Sequence, residues 1–196
     1  MNKKLNVDKK LRVGFDMDGV ILDNADSKIA VAKKFGLTIK LSHTPSEILK
    51  TMMPQIVWEK FQNMLYSHPK FAFSTPLMRG VKTILADLDK KNIPVFLISR
   101  RKPPDIAIKI LEKHELYPKY FNEKNSFFVR HPEDKNEVAA RLGLTHYIDD
   151  ELVNINTLES VPNRFLFDPF NTFKRANNYT KIKSWSEFKK LIFNKI

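Results

Sequence analysis

The chain has 196 residues, 42% hydrophobic and 29% charged, with no cysteine. That is long enough for one buried core with a modest insertion, and it excludes disulfides, thiolate metal sites and a cysteine nucleophile. Lys and Arg outnumber Asp and Glu by 34 to 22, a formal charge of +12, which favours anionic partners such as phosphate esters, nucleotides or nucleic acid. The basic residues are spread along the whole chain, as a general compositional bias also produces, and there is no Arg-rich tract, zinc-finger spacing or aromatic RNA-binding signature. No apolar run approaches the roughly 18 residues of a membrane-spanning helix. The basic residues 1–10 have no apolar segment behind them, so no secretory signal is expected and a cytoplasmic location fits.

Short β-branched apolar runs alternate with amphipathic stretches, which predicts an α/β domain. Residues 11–15 (LRVGF) read as a first buried strand that runs into Asp16-Met17-Asp18-Gly19, where the glycine lets the chain turn. From about residue 26 to 73 strand-like alternation is missing. Helical spacing over 27–35, over 46–53 behind Ser46, and over 54–66 predicts a small helical insertion. Pro76 and Gly80 mark the return, and apolar residues 81, 84, 85 and 88 form one face of a helix over 81–91. Residues 94–99 (PVFLIS) are a second strand, and Pro104 opens a helix over 105–114. Residues 126–129 form a third strand, and Asp134 is expected to cap a helix over 135–142 that Gly143 ends. A fourth strand, 146–148, leads into Asp149-Asp150; 164–167 is a fifth, and Ser184 caps a last helix over 185–193. This rhythm predicts a mostly parallel sheet with right-handed crossovers and ligands at the carboxyl ends of the strands.

Four separated segments thus deliver carboxylates, a hydroxyl and a lysine to one edge of the sheet. Asp16 and Asp18 lie two residues apart, so an extended strand aims both to one side. Clustered carboxylates raise one another's pKa unless a cation sits among them, and hard oxygen ligands with room for water suit Mg²⁺. A carboxylate there can attack phosphorus in line while a second moves the proton. Ser99 and Lys135 can hold the non-bridging oxygens. Each element alone is commonplace: a turn, a strand-end serine, a solvated lysine, a helix-capping Asp pair. Their joint order behind apolar strands carries the reading.

The segment Phe15-Asp16-Met17-Asp18-Gly19-Val20 resembles the first motif of the haloacid dehalogenase-like (HAD) superfamily. Leu97-Ile98-Ser99 resembles its second motif, Lys135 its third and Tyr147-Ile148-Asp149-Asp150 its fourth, in order across residues 11–170. The resemblance implies a Rossmann-like, mostly parallel sheet flanked by helices. It places the catalytic core in 1–24 and 76–196 and a small helical cap in 25–75, inserted after the first strand. It also implies Mg²⁺ and a phosphoaspartate. Asp16 becomes nucleophile and metal ligand, and Asp18 the general acid/base with its main-chain carbonyl on the metal. Ser99 and Lys135 bind the phosphoryl group, and Asp149 and Asp150 complete the metal site, Asp150 as the favoured direct ligand.

An acid at position 18 resembles phosphatases and phosphomutases rather than dehalogenases or transport ATPases. The short interval from Ser99 to Lys135, the double aspartate and the segment from Ile182 to Trp185 look similar to 5′(3′)-deoxyribonucleotidase-type members. Aromatic cap residues of that family stack on a base; the candidates here are Phe35, Trp58, Phe61, Tyr66, Phe71 and Phe73. The implied function is hydrolysis of a small phosphomonoester, with a nucleoside 5′-monophosphate as the first choice. Alternatives are end-processing of a nucleic-acid phosphate, another phosphatase or phosphomutase substrate, and a non-catalytic anion- or partner-binding module. The Arg100-Arg101 run matches no motif: it either meets a second phosphate, with Arg100 counted among the phosphate-binding residues, or caps a solvated strand end. His131 stands four residues before Lys135, but the histidines show no metal spacing, and there is no Gly-rich phosphate loop.

Overall fold

The first strand, β1 (Val13–Phe15), is wholly buried. It belongs to a computed structural model that describes residues 10–193; the basic N-terminal stretch up to residue 9 and residues 194–196 lie outside the described residues. Behind β1 the chain forms α1 (Ala25–Lys34), α2 (Ser46–Leu49), α3 (Gln55–Ser67) and α4 (Pro69–Ala72), with 3₁₀ turns at Leu41–His43 and Lys50–Met52. It then alternates: α5 (Val81–Lys90), β2 (Val95–Ser99), α6 (Pro104–Lys113), β3 (Ser126–Phe128), α7 (Pro132–Leu142) and β4 (His146–Asp149). α8 (Leu152–Thr157), β5 (Asn163–Phe167), β6 (Thr180–Ile182) and α9 (Trp185–Phe193) follow.

Among the described residues the strands form one six-stranded sheet, ordered β3-β2-β1-β4-β5-β6, and every pairing is parallel. The α/β expectation holds. Successive strand residues face opposite sides. Val13, Phe15, Leu97 and Ile148 join one core with α5, α6 and α9, while Phe96, Ile98 and Tyr147 join a second core with Ala139 and Leu158. Gly14 faces the second side, where a Cβ would come within 2.5 Å of both Leu144 and Tyr147. Only glycine lets the neighbouring side chains close over β1 at that point.

The helices between residues 25 and 72 have a hydrophobic cluster of their own, built on Val31, Leu49, Trp58, Phe61 and Leu65. The two strands of chain that enter and leave this segment run side by side. Asp23 N–H donates to Pro76 O at 2.9 Å and Met78 N–H to Ile21 O at 2.8 Å.

Two local expectations are corrected. Ser46 does not cap its helix: Pro45 holds the N-cap position, and the Ser46 hydroxyl instead accepts a hydrogen bond from the buried Lys28 ammonium at 3.1 Å. Asp134 does not start α7, which begins at Pro132; a proline in the first turn costs no hydrogen bond. Asp134 sits one turn inside and accepts the main-chain N–H groups of Arg130 (3.0 Å) and His131 (2.8 Å), the reach-back half of a capping box. The sequence reading also has no α4, α8 or β6. These are too short for periodicity to register, and β6 buries a single residue, Ile182.

Candidate active site

The strand order turns back at β1, whose two neighbours are β2 and β4. Crevices at such points, beyond the carboxyl ends of parallel strands, are where ligands bind. A cavity of about 530 Å³ opens there, lined among others by Asp16, Asp18, Ser99, Lys135 and Asp150. Asp16 follows β1 directly and its N–H donates to Ile148 O at 2.9 Å. The chain then folds sharply over Gly19, which has φ +78°. A Cβ at Gly19 would sit 2.2 Å from Asp150 Oδ2, so the turn and the close approach of Asp150 both require glycine.

Lys135, fully buried on α7, is the hub. Its ammonium donates to Asp16 Oδ1 at 2.5 Å and to Asp149 Oδ2 at 2.7 Å. Burial would lower this ammonium, but Asp149 and Asp16 outweigh it and the net displacement is upward. Burial pushes the Asp16 carboxyl up to about 8, opposed by Lys135 and reinforced by Asp149 and Asp18. Asp149 and Asp150 differ sharply. Both Asp149 oxygens are engaged: Oδ2 by Lys135, and Oδ1 by the Glu151 N–H (3.0 Å) and the Asn154 amide (2.9 Å). Asp150 accepts no hydrogen bond among the described residues, and burial holds its carboxyl well above the usual range.

Asp16, Asp149 and Asp150 each place a carboxylate oxygen within 4.8 Å of the others. Lys135 within the cluster and Lys28 acting on Asp150 from farther off leave three carboxylates facing two ammonium groups, short of positive charge. Hard oxygen donors beside an open cavity fit Mg²⁺. The Asp18 carboxyl stands outside this cluster. Its Oδ1 accepts the Arg101 guanidinium at 2.6 Å and the Asn24 amide at 2.7 Å, and its Oδ2 accepts no hydrogen bond among the described residues.

Ser99 is buried at the end of β2, where its hydroxyl accepts the Arg101 N–H at 3.1 Å. Arg100 lines the cavity but is paired with Glu151 (3.0 Å) and with Asn154 (3.2 Å). The solvated strand end expected for the arginine run is corrected at Arg101: the side chain is buried, pairs with Asp18, reaches Tyr66 O at 3.4 Å and lies 5.0 Å from the Tyr66 ring centre. Of the six aromatic candidates only Tyr66 lines the cavity. Trp58 and Phe61 stack on each other at 5.4 Å, Phe35 and Phe71 complete the helical cluster, and Phe73 packs on the sheet core. His131 is exposed at the start of α7.

Sequence reasoning named Arg101 without its pairing to Asp18, and missed Asn24, Lys28 and Asn154. The run of cations behind Ser99 brought Arg101 into view. The other three carry no such signal, because they reach the site from α8 and from α1 and the residue just before it.

No protein-family model matches the sequence, and no curated protein matches it. Solved structures do resemble the fold. One is a predicted phosphatase from Clostridium acetobutylicum, with a TM-score of 0.67, 18% identity, and 94% of this chain and 99% of that chain covered. Another is a HAD family hydrolase from Deinococcus radiodurans with bound phosphate and sodium, with a TM-score of 0.63, 14% identity and coverage of 95% and 97%. A third is a subfamily IA HAD-superfamily hydrolase from Geobacter sulfurreducens, with a TM-score of 0.59, 15% identity and coverage of 95% and 99%. At these identities the likeness is one of fold: the chain has the Rossmann-like architecture of HAD hydrolases.

Proposed function

We propose that the chain is a phosphomonoester hydrolase working through a phosphoaspartate on Asp16. The observation that carries this is the convergence of the Asp16, Asp149 and Asp150 carboxylates, the Lys135 ammonium and the Ser99 hydroxyl on one open cavity. Asp16 Oδ1 is held by Lys135, which leaves Oδ2 as the attacking atom. A bond forms from Oδ2 to phosphorus as the ester P–O bond breaks. Asp18, anchored through Oδ1, gives the leaving alkoxide a proton from Oδ2. In the second half Asp18 takes a proton from water as that water attacks phosphorus, which frees Asp16 and inorganic phosphate. Lys135 and Ser99 hold the non-bridging oxygens.

Asp16 and Asp150 are the side chains that would hold Mg²⁺, with the main-chain carbonyl of Asp18. Asp149, saturated by Lys135, Asn154 and Glu151, would act from behind by fixing the lysine. Bound there, the ion would offset the negative charge of the carboxylates and of the transferred phosphoryl group. Residues 25–75 form the cap and bring Lys28 and Tyr66 to the cavity. Within the phosphomonoester class, a nucleoside monophosphate is the substrate to try first. The cavity volume is in the range that takes a nucleotide-sized molecule, and Tyr66 offers an aromatic contact.

Phosphate release from nucleoside monophosphates, sugar phosphates and a 3′-phosphorylated oligonucleotide tests the reading, run with Mg²⁺ and with chelator. Release should require the metal and should fall at least about a thousandfold in Asp16→Asn, a nearly isosteric change that removes the nucleophile. Full activity of Asp16→Asn would overturn the mechanism.

A further inference from the structure

Several cations on the cavity wall are left over when the phosphoryl group is assigned to Ser99 and Lys135. β2 and β3 are adjacent, Ser99 pairs with Phe128, and the Val129 N–H donates to Ser99 O at 2.9 Å. Lys102 and Arg130, just beyond these two strands, leave the same corner of the sheet, and both line the cavity. Lys28 enters from α1. Lys135, Arg100 and Arg101 each pair directly with a carboxylate, whereas among the described residues Lys28, Lys102 and Arg130 form no ion pair, Lys28 acting on Asp150 and Arg130 on Asp134 only from a longer distance.

Two of the wall groups are buried. Lys28 is 4% exposed and its ammonium has only the Ser46 hydroxyl as a hydrogen-bond partner. The Asp150 carboxylate acts on it only from beyond ion-pair distance; a buried ammonium so incompletely paired is costly, and an entering anion relieves it. Arg101 is also 4% exposed, and its Nε has no hydrogen-bond partner, a donor left over after Nη1 is spent on Asp18 and Nη2 on Tyr66 O.

We infer that the substrate carries a second anionic group, a phosphate or a carboxylate, besides the phosphoryl group that is transferred. Arg101, Lys102 and Arg130, with Lys28 across the cavity, form its subsite. This rests on the phosphatase reading and narrows its substrate class to bis-anionic phosphomonoesters. The second group stays on the leaving alcohol and takes no part in the bond changes. Its subsite acts by charge-assisted hydrogen bonds, and a guanidinium at Arg130 can meet either group with two donors.

The test is calorimetric binding to the Asp16→Asn protein with Mg²⁺ present and at physiological salt. Matched esters separate the two sources: adenosine 5′-monophosphate against adenosine 3′,5′-bisphosphate for phosphate, and glycerol 3-phosphate against 3-phosphoglycerate for carboxylate. At least one bis-anion should bind about tenfold or more tightly than its partner. In the Lys102→Gln/Arg130→Gln double variant, whose changes fall on exposed residues, that advantage should shrink below about threefold. The pair that responds names the group. Equal binding within both pairs overturns the inference. So does an advantage that survives the double variant, which would reflect only the overall positive field. Binding of none of the four esters also overturns it. Phosphate release by the wild-type protein from any ester would leave the phosphatase reading standing, so the two failures are distinct.

Discussion

Asp18 has to carry a proton in one half of the proposed cycle and lack it in the other, yet it sits 2.6 Å from a buried guanidinium. Arg101 holds Oδ1 and so leaves Oδ2 as the oxygen that exchanges the proton. Asp18→Asn should lower turnover by about 10²–10⁴-fold while the protein still folds, measured as phosphate release beside a circular dichroism melt. Arg101→Ala leaves the Asp18 charge without its partner and should cost about 3 kcal/mol or more in denaturant unfolding. The Asp18→Asn/Arg101→Ala double variant should lose less than the sum of the single losses, because each single change strands the other group. Additive losses would mean that the pair contributes nothing as a pair.

At the scale of elements, one helix supplies the site's lysine and another supports the first motif from the core side. α7 carries Lys135, and its first turn is held by Asp134, whose carboxyl is kept below the usual range by the N–H groups of His131 and Arg130. A carboxyl depressed in the folded state stabilises above its unfolded pKa, near 3.8, and the benefit fades as pH falls through the folded value. Asp134→Ala should therefore melt earlier than wild type at neutral pH, and the gap should close on acidification below about pH 3.8. A gap that persists unchanged into acid would assign Asp134 a role other than its charge. α9 buttresses the first motif. Trp185 packs on Phe15 and Phe167, both at 5.5 Å between ring centres, and its indole N–H donates to Val20 O at 3.2 Å. Trp185→Ala should destabilise by about 3–5 kcal/mol in a denaturant melt, since it opens a cavity against Phe15 and Val20, the residues that flank the Asp16–Gly19 turn.

For the molecule as a whole, the helical segment and the sheet meet through a small apolar contact at Ala72 and Phe73 and through polar ties: Glu47 Oε1 accepts the Val153 N–H at 2.8 Å, and Arg101 reaches Tyr66 O at 3.4 Å. The rest of the segment's buried apolar residues form a cluster distinct from the sheet core. Interfaces of this kind leave relative motion as the default. The folded site alone brings the three carboxylates together, so a metal bound there stabilises the fold by mass action. Millimolar Mg²⁺ should raise the melting temperature of the wild-type protein, by a few degrees if it is present at about a hundred times its Kd. The rise should vanish in Asp150→Asn, which removes a carboxylate charge that accepts no hydrogen bond among the described residues and feels Lys28 only through space. An equal rise in the variant would place the metal elsewhere.

The sequence alone determined the alternating α/β order, the helical segment after the first strand and the residues at the strand ends, because each rests on local physics. Period-2 and period-3.6 patterning marks buried strands and amphipathic helices, and Asp16, Ser99 and Asp149 fall where an apolar run stops. Short elements such as α4, α8 and β6 escaped that reading because a period needs more than one turn or one buried residue to register. Tertiary structure alone decided which groups share a space. Lys135 reaches Asp16 across 119 residues of chain and Arg101 reaches Asp18 across 83, contacts that no local pattern encodes. The same holds for the aromatic set. Helical spacing placed all six residues in or beside the cap, but the packing of Phe35, Trp58, Phe61 and Phe71 into one apolar cluster left only Tyr66 facing the cavity, since the segment needs a core of its own before it can offer a surface.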